Sequence, residues 1–478
     1  MRLFLGLISL FAYTTSALAH DTGYHNDLTG AVLREFGLKA VPIKVVQVEN
    51  WLTDYYSNAP TAPAAVKQEL AKLHFDNLFT SKEVSWYWAR LSENTIAAAK
   101  QAALDNDTHR MLTILAISMH AVQDFYSHSN WCSTHSRPAS GYSTATFLSA
   151  GIPANAELFT GFYDSMSMIQ PAGRPSHGGY NEGLNRDSQV RPGWDEAYVF
   201  AFAASWEWVA KLKEEVATVN PNFWEAVKNF SLNEQDLTKL DNDAKAAYRI
   251  SLWIAASGAD GHWKGNRSGH SPSFITSAAE WSSSTNSISV KQFKEKAVQN
   301  LLTPNLYQGG VPPATPAFPK FNLQRSLLTV RFLNVEEKGD EGLLEPRIDL
   351  GGNADFFARV TIDGVEYIER VIQDQKSFND PWWVLAFVDS TKPNVALGVE
   401  VMDEDVFASG DDDTCDINPA VGKKRLDFTA QLSNAALAGD INGTHRDALN
   451  PVEIGGKKPD TDRAVIRFLV DSQNLIVR

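Results

Sequence analysis

Residues 120–131 read His-Ala-Val-Gln-Asp-Phe-Tyr-Ser-His-Ser-Asn-Trp, which sets His120, Asp124 and His128 four residues apart. They close an apolar run (Met111, Leu112, Ile114, Leu115, Ile117, Met119) of helical length without Gly or Pro. Positions i, i+4 and i+8 share one face of a helix, so all three side chains point the same way. At ~1.5 Å per residue the two histidines stand about 12 Å apart along the axis. Zn–N bonds are only ~2.0–2.1 Å long, so the spacing predicts two ions, one per histidine, with Asp124 able to bridge. The usual chemistry of such a polynuclear site is hydrolysis of a phosphate ester. The competing reading is a solvated face or a hydrogen-bonded polar cluster.

The elements that position this triplet follow from the rest of the chain. Met1-Arg2, the apolar stretch Leu3–Ala12 and then Ala17-Leu18-Ala19 have the order of a secretory signal peptide. The expectation is therefore an exported protein cut after Ala19, with no transmembrane segment. Cleavage makes His20 the new N-terminus, whose α-amine (pKa ~7.7–8.0) and carbonyl oxygen can chelate a metal. His25 lies close by as a further ligand.

Of 478 residues 44% are hydrophobic, enough for real cores, and the length suggests more than one domain. The formal charge is −14, and residues 321–478 hold 28 acidic against 17 basic residues. A nucleic-acid binder shows a basic patch; none is visible, and clustered acid suits cation binding. The two cysteines, Cys132 and Cys415, are read as a disulfide between the metal helix and the C-terminal part, since exported proteins keep such bonds.

The predicted organisation is a signal peptide (1–19), a mainly helical catalytic domain (20–302), a Pro-rich linker (303–320) and an antiparallel β-sandwich (321–478). Periodic apolar stretches at 198–216 and 244–256 read as helices. Beyond the linker the period changes to two, at 327–333, 357–362, 383–388, 396–401 and 464–470, as in a sandwich.

In the sandwich Asp349 and Asp355 are six apart around a Gly-Gly-Asn turn, and Asp403-Glu-Asp405 is followed six residues on by Asp411. Hard oxygen ligands from two loops suit Ca²⁺. This paired spacing, with Asn379-Asp-Pro-Trp382 before a strand, resembles the C2 domains of synaptotagmins and protein kinase C over about 325–475. The resemblance implies Asp349, Asp355, Asp403, Asp405 and Asp411 as calcium ligands and a phospholipid surface as partner.

Across most of 20–215 the chain resembles the zinc-dependent phospholipase C superfamily. It is most similar to the branch of fungal heterokaryon-incompatibility proteins and Gram-negative secreted phospholipases C, where a His-x3-Asp-x3-His-Ser-Asn-Trp segment is characteristic. The resemblance implies a helical fold with two or three zinc ions. His20, His25 and Asp124 would hold one, His74 and His120 with Asp124 a second, and His128 and His177 the third. The last ligand of that third site stays open between Glu182, Asp187 and Glu196, because the superfamily's His-x3-Glu pair is missing. Residues i and i+2 face apart on a helix, so His74 and Asp76 can share a site only on a loop or at a helix end. Asp76 or Asp54 would take the proton of the nucleophilic water. Tyr24, Trp86, Trp88 and Trp131 are candidates to line a choline or acyl pocket, and His262 and His270 read as surface residues. The function implied is a secreted phospholipase C acting on phosphatidylcholine-like lipids. The alternatives are an extracellular zinc nuclease or phosphodiesterase, or a non-catalytic calcium-dependent membrane binder.

Overall fold

The computed structural model describes residues 22–57, 74–135, 146–151, 157–163, 169–177, 183–187, 189, 191–231, 315–338, 354–369, 372, 375–403, 413–457 and 462–475. His20, Glu182, Asp349, Asp405, Asp411, His262, His270, the 244–256 stretch and most of the linker lie outside them.

The first half is helical: α1 (Thr22–Glu35), α2 (Ala40–Ser57), α3 (Ser81–Leu104), α4 (Thr108–His128), the short α5 (Trp131–Thr134) and α6 (Phe147–Ala150), α7 (Trp194–Ala217) and α8 (Phe223–Lys228). Helix α4 starts where the Asp107 side chain accepts the Arg110 backbone N–H at 2.9 Å, meeting one of the unpaired donors of a helix start. Nearly every residue of α4 is buried, as expected of a helix apolar on all sides. It lies at the centre, against α2, α3 and α7. A polar group on it is therefore a buried polar group, which must be hydrogen-bonded or charged for a purpose.

The second half is a sandwich of two antiparallel sheets. In one, β1 (Arg325–Glu337) pairs with β12 (Ala464–Leu475) on one side and with β4 (Ser377–Asn379) and β5 (Trp383–Asp389) on the other; β11 (Val452–Gly455) pairs with β12. In the other, β2 (Phe356–Ile362), β3 (Val365–Ile368), β6 (Asn394–Asp403), β7 (Asp413–Cys415), β8 (Leu426–Gln431), β9 (Ala436–Gly439) and β10 (Gly443–Thr444) are joined through β6 and β8. All five stretches of alternating residues singled out in the sequence are strands.

The first sheet is buried on both faces. Leu328, Val330, Val384, Ala386 and Val388 point into the sandwich core. Their neighbours Leu327, Leu385 and Leu475 belong to the core of the helical part. The side-chain period of two thus sends one strand into two cores. Phe387 stacks flat on Phe202 of α7, with ring centroids 3.7 Å apart and 9° between planes, and Trp383 meets Trp194 edge-on at 5.7 Å. Arg325 holds Glu35 through two nitrogens, at 2.8 and 2.5 Å. The sandwich is packed against the helical part as a wall.

The expected disulfide is absent. Cys132 and Cys415 are not bonded to each other and both are buried, Cys132 in the helical core and Cys415 in the sandwich core. Each thiol serves as a small apolar filler in its own core. Burial pushes the Cys132 thiol up to about 12, which makes it unreactive.

Candidate metal centre

Four segments converge on one face of α4. Helix α1 brings His25, the turn before α3 brings His74 and Asp76, and the segments at 177 and 187 bring His177 and Asp187. The turn is the unexpected part. Phe75 and Asn77 both have positive φ, 52° and 62°, a conformation costly for residues with a Cβ. Phe75 is fully buried against Tyr87 and Phe125, with ring centroids 5.0 and 5.2 Å away. That wedge fixes the turn, so His74 and Asp76 both reach the site, the loop arrangement that the sequence required.

The first cluster surrounds Asp124. His25 Nε2 lies 3.0 Å from its Oδ1, while His74 Nδ1 and His120 Nε2 lie 2.7 and 3.1 Å from its Oδ2. His25 and His120 are stacked with ring centroids 4.3 Å apart. The ligand atoms of His25, His120 and Asp124 all lie within 4.8 Å of one another. The second cluster surrounds His128. Its Nε2 lies 3.0 Å from His177 Nε2 and 3.2 Å from Asp187 Oδ1, and its Nδ1 lies 2.7 Å from the His74 carbonyl oxygen and 3.5 Å from Asp76 Oδ1. Asp76, His128 and His177 form the second group with ligand atoms within 4.8 Å. These residues are all buried.

The electrostatics separate the clusters. Burial pulls the His120 imidazole down to about 3, against the opposing pull of Asp124. Burial would raise the Asp124 carboxyl, but His120 and His25 outweigh it and hold it well below the usual range. The first cluster therefore pairs a neutral imidazole with a carboxylate anion, the protonation state that metal ligands need. Burial, helped by Asp124 and Asp187, raises the Asp76 carboxyl well above its ordinary value despite His128. His128 is lowered by burial, but Asp76 and Asp187 outweigh that and raise it.

The donor set fits zinc. Imidazole nitrogens and carboxylate oxygens are its ordinary ligands. Two imidazole nitrogens 3.0 Å apart, or imidazole nitrogens against a buried carboxylate, need a positive charge between them. A proton supplies it in the metal-free protein, and binding a cation would release that proton.

The structure brings His25, His74, His120 and Asp124 together, and separately His128, His177, Asp76 and Asp187. Of the three open choices for the last ligand, Asp187 meets His128; Glu196 lies in the first turn of α7. Asp54 is within α2. Tyr24, Trp86, Trp88 and Trp131 are all buried. Trp88 packs on Phe147 and Trp208, Tyr24 on Trp194 and Tyr198, and Trp131 stacks on His135 at 3.7 Å. The sequence reading missed Asn50 and Gln123, whose side chains touch the two stacked histidines. The only signal available was an amide among apolar neighbours on each helix.

In the sandwich, β2 and β6 set Phe356 opposite Asp403, and the Asp403 carboxylate accepts the Asp355 backbone N–H at 2.6 Å. Two of the five expected calcium ligands are thus adjacent. The Asn379–Trp382 segment serves a different end: Asp380 holds Arg331 through two oxygens at 2.9 Å, and the Pro381 carbonyl accepts from Gln189 at 3.4 Å, against the helical part.

No protein family matches the chain, and no curated protein matches it. Solved structures similar to it include human GIVD cytosolic phospholipase A2, at 16% identity over 31% of this chain and 16% of that one, TM-score 0.19. A C2 domain of plant extended synaptotagmin 1 is 12% identical over 32% of this chain and 99% of that one, TM-score 0.21. A C2 domain protein from Ramazzottius varieornatus is 11% identical over 31% of this chain and 89% of that one, TM-score 0.20. The chain thus spans 16% of the length of the phospholipase. No helix among the described residues is long and apolar enough to cross a membrane.

Proposed function

We propose that this protein is an exported zinc-dependent phospholipase C. It hydrolyses the glycerol–phosphate ester of phosphatidylcholine-like lipids and docks on membranes through calcium held by the sandwich. The observation that carries the reading is the pair of adjacent, buried histidine–aspartate clusters on one face of α4. His25, His74, His120 and Asp124 would hold zinc in the first, joined by the His20 amine of the processed chain. His128 and His177 would hold it in the second, with Asp187 or Asp76. When bound, zinc polarises the phosphate oxygens and lowers the pKa of water towards ~7.

The residues divide the remaining work. Two carboxylates face the second cluster, so one can serve as ligand while the other accepts a proton. The raised carboxyl of Asp76 fits the acceptor, since a base works best with a pKa near the working pH; Asp54 competes for the role. Water adds to phosphorus and the bond to the glycerol oxygen breaks. The products are diacylglycerol and phosphocholine, and the proton taken from water balances the one gained by the glycerol oxygen. Buried walls around the donors keep bulk water out and strengthen each charge interaction. The net charge of −14 disfavours a polyanionic nucleic acid.

The test presents purified protein, cut after Ala19, with phosphatidylcholine liposomes and, separately, single-stranded DNA. The expected result is phosphocholine release that a chelator abolishes and Zn²⁺ restores, with no DNA cleavage. Chelator-sensitive DNA cleavage without phosphocholine release would replace this reading with a nuclease.

A further inference from the structure

The two stacked histidines of the first cluster are held from behind by a pair of buried amides. Gln123 Oε1 lies 2.6 Å from His25 Nδ1, and Asn50 Oδ1 lies 2.9 Å from His120 Nδ1. The amides also hold each other: Asn50 Nδ2 donates to Gln123 Oε1 at 3.2 Å. Their remaining hydrogens go to Thr29 Oγ1, from Asn50 at 3.1 Å and from Gln123 at 3.3 Å, and to Ser205 Oγ at 3.4 Å. Asn50, Gln123, Thr29 and Ser205 are all 0% exposed.

The hydrogens can be accounted for. An amide oxygen only accepts, so with the two amides in this orientation each histidine carries a proton on Nδ1. Each Nε2 then faces Asp124, at 3.0 and 3.1 Å, on the side where a proton sits in the metal-free protein and a cation can replace it. Turning over the Asn50 amide alone would set its oxygen against Gln123 Oε1, so neither amide can turn over independently.

We infer that Asn50 and Gln123 are positioning residues that act through His120 and His25. Together they hold a proton on Nδ1 of both rings, which leaves Nε2 as the nitrogen that a metal can take. The inference deepens the zinc reading and rests on it only for the metal's identity. A purely structural polar cluster would stabilise the fold without dictating which ring nitrogen binds a cation.

Two measurements on the full-length protein test it. In metal-free protein labelled with ¹⁵N-histidine, the resonances of His25 and His120, assigned by single substitution, are expected to show a protonated Nδ1 in both rings. Finding Nδ1 unprotonated in either ring would overturn the inference, and this result needs no variant that might fail to fold. Chelator competition then compares zinc affinities. Gln123→Leu is expected to weaken zinc at the first cluster by roughly 10–100-fold, the usual effect of removing a ligand's hydrogen-bond partner. Gln123→Glu, which keeps an acceptor oxygen, should rescue most of that loss, and neither change should alter zinc at His128 and His177. A folded Gln123→Leu with wild-type affinity would overturn it as well. If the wild-type protein bound no zinc, the functional reading would fail, whereas the tautomer measurement would still decide this one.

Discussion

Asp124→Asn is expected to empty the first cluster of metal and to abolish phosphocholine release. Three histidines, from α1, α4 and the turn before α3, converge on the two oxygens of this one carboxylate. The substitution keeps the volume but replaces an anion with a neutral amide, whose NH₂ would face imidazole nitrogens. The loss should exceed the roughly 10–100-fold that follows from removing only a ligand's partner. Calcium-dependent binding to liposomes should persist, because Asp355 and Asp403 lie in the sandwich. Metal content by mass spectrometry and phosphocholine release check the prediction together. An Asp124→Asn protein with full zinc and wild-type turnover would refute the assignment.

Phe202→Ala should destabilise the helical part and the sandwich together, by about 3–5 kcal/mol. Phe202 is fully buried in α7 and carries Phe387 of β5 on its face at 3.7 Å. Leu327, Leu385 and Leu475 of the sandwich sheet belong to the same core. The intact chain should therefore melt in one cooperative transition, which moves as a whole in the variant. A chain ending at residue 320 would leave the Trp194, Tyr198 and Phe202 face uncovered, and it should aggregate. Two separable calorimetric transitions, only one of them shifted by Phe202→Ala, would show the halves to be independent.

The parts of this molecule that were legible in its sequence are those written as local periodicity. The face shared by His120, Asp124 and His128 follows from helical geometry alone, and the strands follow from alternation. The near-continuous apolar run Trp383–Val388 also held a clue to a strand buried on both faces. The turn carrying His74 and Asp76 was open in the sequence, because it depends on positive φ at Phe75 and Asn77. Tertiary packing of the Phe75 ring pays for that conformation, and no neighbouring residue announces it. Asn50 and Gln123 are ordinary amides until their partners are known. The cysteines misled for a related reason: an even count in an exported chain suggests a bond, but only the fold assigns Cys132 and Cys415 to separate cores.

The most direct test of the account is the metal content of the purified, processed chain, measured by mass spectrometry alongside its phosphocholine release. Two or three zinc ions per chain, lost to a chelator together with turnover and restored with it, is the predicted result. A chain that folds, binds liposomes with calcium and takes up no zinc would contradict the catalytic reading, leaving the two clusters as buried polar structure.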